Sequence, residues 1–506
     1  MACGNPTGKQ AGTRAVPIDA GALAVTLDGA GAGAYPLRML ISVVVAYLLG
    51  TLVVGAALST RIKRTSDYLV AGRRLGLVLG TASLAAVQIG AGVVLGGAED
   101  GAARGVWPGM WYGFGCGAGL IVAGFLTAKK LRTLGGVVPI DFFSMRYGER
   151  RWVRTWAWFL NIPNLVGIFA VQLMAAGALL SGFGFNFTYA VLLIASLLLF
   201  VNLMSGMWGV VSVDFLQICV IATAVPLTAV GLALGAGAAI VGPVVSAPVM
   251  PHGLASRAVF LILPSLFSIS VSYDAVIRFQ AMRNAETAKR ACVLAGLIVI
   301  GVSFCTAFIG AAGKQANPGV ANGAVLTHVV TTMLPPVVAG VVIAALLGAA
   351  MGTANSLLIS IAGCFSRDFY NKILHPSAEL DQLPHATLYA RLAVLGAAAV
   401  GVALALNARG ILDTIIIFMY PYTASMLVPL VGGLLWPRAT TQGAYAAMGV
   451  GGAIGIVAFV VGVPGPLHGL FNIDLALLIA FAVSAVVFVG VSLTTAEGAG
   501  RRTGTA

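Results

Sequence analysis

Long apolar runs separated by short polar gaps are the dominant pattern of this 506-residue chain. Many of the runs reach ~18 residues or more, the length that an α-helix needs to cross a ~30 Å hydrocarbon core. A transmembrane β-barrel would instead alternate apolar and polar residues within ~10-residue strands, and these runs do not alternate. The pattern therefore predicts an all-α polytopic membrane protein with about thirteen transmembrane helices.

The polar gaps set the limits of the predicted spans, numbered one to thirteen from the N-terminus. They cover residues 37–58, 77–99, 108–128, 153–181, 186–204, 208–235, 257–279, 289–312, 335–365, 388–407, 410–436, 442–463 and 474–494. No gap is long enough for a folded soluble domain. Residues 1–36 lack the continuous apolar core of a signal peptide, so we expect a disordered extension. Met39, directly before span one, is a candidate for the natural start.

Charge is scarce and unevenly placed. Charged residues make up 9% of the chain, the net charge is +13 and the mean hydropathy is +0.98. Most Lys and Arg residues fall in gaps on one side of the predicted membrane, with clusters at 61–74, 129–154 and 278–290. The positive-inside rule places these gaps and the tail 495–506 in the cytoplasm, and the N-terminus outside. Topology thus explains the positive charge, and no nucleic-acid partner is predicted.

Cysteine and histidine do not form the pattern of a metal or catalytic site. The 6 cysteines are scattered without a Cys-x-x-Cys pair, which argues against a disulfide framework or a zinc site. The 5 histidines all fall in predicted gaps on both sides of the membrane. A membrane enzyme would need polar groups clustered at one depth. We therefore expect a protein that is not an enzyme and needs no cofactor.

Glycine is abundant, at 65 residues, and many glycines lie four residues apart. Such pairs occur at 92/96, 113/117, 115/119 and 451/455. In lipid, pairs of this kind let helix backbones approach closely. The alternative is a phosphate-binding loop, which needs a strand before it and a helix after it, and a spanning run supplies neither. The pairs therefore predict helix contacts.

Two of the predicted spans have sequences that indicate interrupted helices. Span two contains Gln88 followed by several glycines, and span seven contains Pro264 and four serines before Asp274. A helix broken in lipid leaves backbone groups that an ion or a substrate can satisfy. Paired interruptions at matching positions of two halves indicate a transporter binding site. A kinked helix packed by its neighbours is the alternative for either span alone.

Five segments resemble the sodium/solute symporter family, which includes sugar, proline and pantothenate carriers. In the family's order they are SDYLVAGRRLG (66–76), DFFSMRYG (141–148), SGMWGVVSVDFLQ (205–217), VIRFQAMRNAETAKRA (276–291) and PLVGGLLWPRATTQGAYAAMGVGG (429–452). The resemblance implies a leucine-transporter-like fold. Spans two to six (77–235) and seven to eleven (257–436) would be two inverted five-helix repeats. The first helix with its loop (37–76) and the last two helices (442–494) would be peripheral.

The resemblance also implies a sodium site between spans two and nine. Its ligands would be the carbonyl oxygens of Ala86, Ile89 and Ala349 and two hydroxyls at the positions of Gly352 and Thr353. Gly352 departs from the family pattern because it has no side-chain oxygen. A hard cation prefers several oxygen ligands, so the site weakens unless a water, another carbonyl or Ser356 substitutes. Sodium is the predicted coupling ion, with proton coupling and uncoupled transport as alternatives.

Asp214 lies at the start of predicted span six. A carboxylate at membrane depth is costly and is a functional candidate for that reason. In the family, the matching acid is implicated in the passage of sodium towards the cytoplasm. The alternative is an interfacial acid that caps its own helix.

Asp274 follows the serine-rich stretch, where the family's sugar carriers have a tyrosine and its proline carriers a histidine. Three interpretations stay open: an ion pair with Arg278 at i,i+4 spacing, neutralisation of a cationic substrate, or transfer of a coupling proton. The resemblance further implies a substrate cavity, which besides Asp274 would be lined by Gln88, Val93, Trp111, Tyr112, Ser272, Phe418 and Tyr420. This mostly aromatic and apolar set disfavours a sugar and leaves a small carboxylate, amino acid, base or amine.

These features predict a secondary active transporter in the lipid bilayer of a bacterial inner membrane. An ion moving down its gradient would drive symport of a small organic solute by alternating access, and the protein would act as a monomer. A transporter-derived solute sensor is the alternative from another class. Such relatives usually carry a cytoplasmic signalling domain, and the tail after Leu493 is too short to be one.

Overall fold

The computed structural model describes residues 34–58, 73–181, 183, 185–378, 383, 385–407, 411–462 and 475–502. Among these residues, ten helices are long and apolar enough to cross a membrane, and an eleventh span is counted if the bent pair Leu77–Gln88 and Gly92–Arg104 is taken as one. The predicted N-terminal extension lies almost entirely outside the described residues, and so does most of the motif at 66–76. The part of the chain that the structure describes is thus an all-helical bundle.

The helices follow one another along the chain with short connections. They are α1 (Ala34–Leu58), α2 (Leu77–Gln88), α3 (Gly97–Arg104), α4 (Val106–Ala123), α5 (Lys129–Leu134), α6 (Pro139–Tyr147), α7 (Arg151–Ser181), α8 (Phe187–Ala236), α9 (Ala238–Val245), α10 (Ala255–Ser268), α11 (Tyr273–Ala281), α12 (Ala285–Ala316), α13 (Val325–Met333), α14 (Pro336–Gly363), α15 (Ala386–Ala405), α16 (Ile411–Leu435), α17 (Thr441–Gly462) and α18 (Ala476–Arg502). A π-helical segment, Cys364–Leu374, extends α14. Every predicted span overlaps at least one of these helices.

The gap predicted between spans five and six is helical in the structure. Helix α8 runs from Phe187 to Ala236 and includes the gap. It begins at Asn186, whose side-chain oxygen accepts hydrogen bonds from the backbone N–H groups of Thr188 and Tyr189 at 3.0 and 3.4 Å. The one glycine in the gap, Gly206, does not end the helix, because a glycine costs only ~1 kcal/mol relative to alanine.

The predicted glycine pairs lie at helix contacts. A Cβ atom on Gly117 of α4 would lie 2.6 Å from the carbonyl oxygen of Gly296 on α12. Gly115 meets the backbone of α10, and Gly451 and Gly455 of α17 meet the backbone of α16. Because the obstacle is main chain in each case, a larger residue would force the helices apart.

Predicted span two is broken and sharply bent. Its axis turns by 58° between α2 and the segment Gly92–Arg104. At the break, a Cβ atom on Gly90 would lie 2.5 Å from Thr353 Oγ1 and 2.9 Å from Gln172 Oε1, so a larger residue would displace these side chains. The N–H group of Ala91 donates to the same Gln172 oxygen at 2.8 Å. A side chain from α7 thus satisfies an amide that the break removes from the helix.

Predicted span seven is also interrupted, but the interruption is not at Pro264. Helix α10 continues through Pro264 to Ser268, and α11 begins at Tyr273. The N–H groups of Val271 and Ser272 both donate to the Ser268 carbonyl, at 3.0 and 2.7 Å, and close the connection. A proline removes one helical hydrogen bond, whereas closely spaced serines offer the backbone alternative partners. The serines therefore mark the break better than the proline does.

Candidate functional site

A small cavity lies between the two interrupted helices. Its volume is about 60 Å³, which is room for a few water molecules. Helices α4, α7, α14 and α16 complete its walls. Its polar lining residues are Gln88, Tyr112, Asn164, Gln172, Ser268, Ser272, Asp274, Thr353, Tyr422 and Thr423. A polar cavity at the centre of an apolar bundle, beside interrupted helices, is the arrangement that transporters use to bind solutes.

The structure brings part of the predicted substrate set to this cavity, namely Gln88, Tyr112, Ser272 and Asp274. Trp111 is buried next to Tyr112 on α4 without lining the cavity, and the carbonyl of Val93 accepts a hydrogen bond from the Thr306 hydroxyl at 3.0 Å. Tyr420 packs edge-on against Phe260. Phe418 lines a separate apolar groove of about 720 Å³ between α7 and α15.

Helices α7 and α16 contribute most of the cavity residues that the sequence reasoning missed. Helix α16 presents Met419 and Tyr422, whereas the predicted Phe418 and Tyr420 are their neighbours in sequence. One residue along a helix rotates the side chain by ~100°, so a shift of one position turns it out of the cavity. On α7 the missed residues include Gln172. A polar side chain on an otherwise apolar span is a signal that could have found it.

The predicted sodium ligands Ala86, Ala349 and Thr353 lie together where α2 meets α14. The Thr353 hydroxyl oxygen is 3.3 Å from the Ala86 carbonyl oxygen, 3.1 Å from that of Val87 and 3.3 Å from that of Ala349. A hydroxyl has one proton and cannot donate fully to three acceptors. Neighbouring oxygens that coordinate one cation of about the size of sodium lie ~2.4 Å from the ion and about 3.4 Å from each other. The observed spacing therefore suits a shared ion. Ile89 is fully buried and directly follows α2.

Gly352 does not take part in this oxygen cluster through a side chain. A Cβ atom at position 352 would point towards Gln217 Oε1 and lie 3.4 Å from Asp214 Oδ1, both on α8. Its carbonyl oxygen accepts the Ser356 hydroxyl at 2.8 Å. This bond and a second one, donated to Ser356 by Arg278 Nη2, hold the Ser356 side chain away from Thr353. Ser356 therefore does not replace the missing hydroxyl.

Asp214 forms a buried ion pair with Arg278. Arg278 Nη2 donates to Asp214 Oδ2 at 3.2 Å, and the two side chains are 1% and 0% exposed. The Ser83 hydroxyl accepts from Arg278 Nε at 2.7 Å and donates to Asp214 Oδ2 at 2.8 Å. The cluster joins α2, α8 and α11. Because Asp214 lies in the middle of α8, the helix-capping interpretation of this residue is wrong.

Asp274 does not pair with Arg278 through its carboxylate. Arg278 Nη1 donates to the backbone carbonyl of Asp274 at 3.1 Å, while the rest of the guanidinium binds Asp214 and its neighbours. Within the described residues, no basic side chain forms an ion pair with the Asp274 carboxylate. The i,i+4 ion pair is therefore wrong, and the other two interpretations of Asp274 stay open.

A second buried network of charges lies on the side predicted to face the cytoplasm. Arg154, 2% exposed, binds Asp141 at 3.1 Å and Asp368 at 2.6 Å, and the Tyr273 hydroxyl donates to Asp368 at 2.7 Å. The network joins α6, α7, α11 and the π-helical segment. Burial would raise the pKa of Asp141, but the guanidinium groups of Arg367 and Arg154 hold the pKa below its usual value. Asp141 is therefore ionised at neutral pH.

The fold and its polar centre define a membrane transporter of the leucine-transporter-like class. A solved structure of a Na⁺-coupled sialic acid symporter, in a substrate-bound outward-open state, matches 90% of this chain and 98% of its own chain, with a TM-score of 0.72 at 19% identity. MhsT in complex with L-phenylalanine matches 84% of this chain and 98% of its own, with a TM-score of 0.54 at 14% identity. The predicted fold class is confirmed.

The sequence places the chain more closely within this class. Residues 68–451 match the Sodium:solute symporter family. The sodium/pantothenate symporter of Haemophilus influenzae is 25% identical over 437 residues, which are 79% of this chain and 87% of that protein. A sodium/proline symporter of Staphylococcus aureus is 24% identical over 460 residues, 83% of this chain and 86% of that protein. The chain belongs to the sodium:solute symporter family. It is a multi-pass membrane transporter that works by alternating access, and it is not an enzyme.

Proposed function

We propose that the protein uses sodium to drive the uptake of a small organic solute. The observation that carries this proposal is the convergence of the Thr353 hydroxyl with the carbonyl oxygens of Ala86 and Ala349, within 3.3 Å, at the break of α2. Ile89 would add its backbone carbonyl to the same site, whereas Gly352 supplies no side-chain oxygen and its carbonyl already accepts the Ser356 hydroxyl. The named sodium symporters among the relatives support this choice of ion.

Sodium and solute would share one wall of the central cavity. Thr353 belongs to the oxygen cluster and also lines the cavity, next to Gln172 and the break at Gly90. An ion bound to the freed carbonyls would hold α2 against α14 and so keep the cavity in shape for the solute. Such coupling is reciprocal, so bound solute would tighten sodium binding by the same factor. Each charge that crosses ~100 mV supplies ~2.3 kcal/mol for uptake.

Asp214 would form the next step of the ion's path towards the cytoplasm. Its Oδ1 oxygen is buried, has no hydrogen-bond partner among the described residues and faces the backbone of Gly352. Gly352 directly precedes Thr353, so Asp214 lies immediately beyond the oxygen cluster. The absence of a side chain at position 352 lets the Asp214 carboxylate and the Gln217 amide approach the backbone beside the oxygen cluster.

The arrangement in the membrane is part of the same proposal. We infer that residues 77–235 and 257–436 are two inverted repeats around the cavity, with 37–76 and 442–494 peripheral. The N-terminus would face the outside of a bacterial inner membrane and the C-terminus the cytoplasm, which the basic gaps support. The protein would act as a monomer, because the cavity is built within one chain.

Uptake by reconstituted proteoliposomes tests the proposal. Cationic, zwitterionic, neutral and anionic solutes are offered in turn, with a sodium gradient or a pH gradient imposed alone. We expect one class of solute to accumulate under the sodium gradient and not under the pH gradient. Uptake driven by the pH gradient alone would instead indicate proton coupling, and saturable binding without uptake would indicate a sensor.

A further inference from the structure

We propose that the solute is a small organic cation and that Asp274 is the residue that selects it. This inference rests on the proposed function, because it assigns a substrate class to the same cavity. The juxtaposition that carries it is an unpaired carboxylate, two tyrosine rings and several acceptor oxygens around a space of about 60 Å³.

The charge of the cavity is the first step. Among the described residues that line it, Asp274 carries the one charged side chain. Arg278, the nearest base in sequence, is bound to Asp214 at 3.2 Å and to Ser83 at 2.7 Å, and both acid and base of that pair are buried. A buried carboxylate without an ion pair is costly unless it takes up a proton or a cation joins it. A cationic solute supplies that charge.

The position of Asp274 on its helix excludes an anionic solute. Helix α11 begins at Tyr273, so the Asp274 carboxylate occupies the N-terminal turn. The N-terminus of a helix broken at a binding site would otherwise be a place for a solute carboxylate. In this protein the Asp274 carboxylate already occupies that position. A second carboxylate would be repelled and would find no free basic side chain in the cavity lining.

The remaining walls suit an amine or ammonium group. Tyr112 and Tyr422 line the cavity, and the face of a tyrosine ring attracts a cation. Gln88, Ser268 and Thr423 add oxygens that can accept hydrogen bonds from an N–H group. The small volume restricts the solute to a few heavy atoms beyond the charged group. Ethanolamine is a suitable small probe of this class, and choline is a larger one that the cavity would have to widen to admit.

Substitution of Asp274 separates selection from helix stabilisation. An acid in the first turn of a helix also stabilises the helix dipole, and asparagine is nearly as good a residue as aspartate near a helix N-terminus. Asp274→Asn therefore preserves the local hydrogen bonding while it removes the charge. Glu286→Gln is the matched control, because Glu286 lies on α12, is half-exposed, and pairs with Lys129 and Arg290 outside the cavity.

The experiment measures binding by thermal unfolding of the purified full-length protein in sodium buffer. The probes are choline and its neutral isostere 3,3-dimethylbutan-1-ol, ethanolamine and its isostere 1-propanol, and pantothenate as an anion. We expect a cation to raise the midpoint of unfolding while its isostere and pantothenate do not. Asp274→Asn should weaken the Kd of the cation by at least tenfold and reduce the preference over its isostere, whereas Glu286→Gln should change neither.

Three results would overturn the inference. They are failure of both cations to bind, equal or tighter binding of a neutral or anionic probe, and an unchanged cation affinity in Asp274→Asn. Sodium-driven uptake of an anionic or neutral solute would refute the substrate class while the proposed function stands. If sodium drives no solute of any charge, the proposed function itself fails. A normal unfolding midpoint of ligand-free Asp274→Asn confirms that the variant is folded.

Discussion

At the residue scale, two polar clusters differ in how far the protein itself satisfies their oxygens and charges. Thr353 gathers carbonyl oxygens at the break of α2, whereas Asp214 and Arg278 neutralise each other a short distance away. The first cluster has more acceptors than protons, so a cation can complete it. In the second cluster, the charge of Arg278 is already neutralised by Asp214, and the Ser83 hydroxyl forms hydrogen bonds with both side chains. Substitutions in the two clusters should therefore affect ion binding and folding differently.

Thr353→Ala should weaken sodium binding with little effect on folding. The variant loses the side-chain oxygen of the proposed site and retains the backbone carbonyls. We expect the sodium concentration for half-maximal uptake to rise by roughly tenfold or more, the effect of one lost contact to a charged group at ~1.5–3 kcal/mol. Thr353→Ser keeps the hydroxyl and is the control. Equal sodium dependence of all three proteins would contradict the site.

Breaking the buried pair should destabilise the fold. Arg278→Met leaves Asp214 as an uncompensated charge at 0% exposure, and we expect a loss of ~3–5 kcal/mol in the free energy of unfolding. The double variant Asp214→Leu/Arg278→Met should lose much less than the sum of the single variants. Thermal unfolding in detergent measures each value. Glu286→Gln, which breaks an exposed pair, should stay within ~1 kcal/mol of the natural protein.

At the element scale, small residues decide how closely the helices pack. Gly117 on α4 and Gly296 on α12 bring two backbones into contact, and Gly90 brings the break of α2 against α14 and α7. In lipid, such contacts replace the hydrophobic driving force that packs helices in water. The positions of the cavity walls thus depend on residues that do not line the cavity.

Gly117→Val should separate α4 from α12. Its Cβ atom would lie 2.6 Å from the Gly296 carbonyl oxygen, which belongs to the main chain and cannot move aside cheaply. We expect a loss of ~1–3 kcal/mol in the free energy of unfolding, as for other overpacked sites, together with reduced uptake. Gly301→Ala on α12 is the control, because nothing lies within 4 Å of its Cβ position. An alanine there should be neutral or stabilising by up to ~1 kcal/mol. Equal unfolding midpoints for the two variants would argue against the contact.

At the scale of the whole molecule, the network around Arg154 ties several helices together on the side predicted to face the cytoplasm. It joins α6, α7 and the end of the α14 span to Tyr273, the first residue of α11. Opening of the cavity towards that side has to separate these elements. The Tyr273 hydroxyl bond to Asp368 is therefore a bond that alternating access would make and break, and Tyr273 directly precedes Asp274, the residue proposed to bind the solute.

Tyr273→Phe should shift the protein towards the state that is open to the cytoplasm. The variant loses one hydrogen bond to a carboxylate, at ~1.5–3 kcal/mol, which corresponds to roughly a ten- to hundredfold change in the equilibrium. Spin-label distances between α6 and the π-helical segment would measure the shift. Tyr445→Phe is the matched control. It removes the Tyr445 hydroxyl, which donates to the Tyr147 and Gly148 carbonyls outside the network. Identical distance distributions in both variants would contradict a closing role for Tyr273.

The sequence alone predicted the spans, the glycine contacts and the two interrupted helices, because each depends on local composition. Apolar length, small residues and helix-breaking residues act within a few turns of one helix. The break of span two was predicted at the correct glycines, whereas span seven was predicted to be interrupted without saying whether Pro264 or the serines mark the place. The resemblance to one family added Thr353 and Asp214, whose neighbours come from distant parts of the chain.

Only the tertiary structure decided which partner each polar side chain takes. Arg278 is four residues from Asp274 but binds Asp214, 64 residues away. Burial leaves no water to satisfy either charge, so Arg278 pairs with the carboxylate on α8 that the packing of the helices brings within hydrogen-bonding distance. The rotation of α16 likewise turned Tyr422 into the cavity and Phe418 out of it. Such choices depend on how helices pack against each other, and a helical period of 3.6 residues does not by itself say which face meets which neighbour.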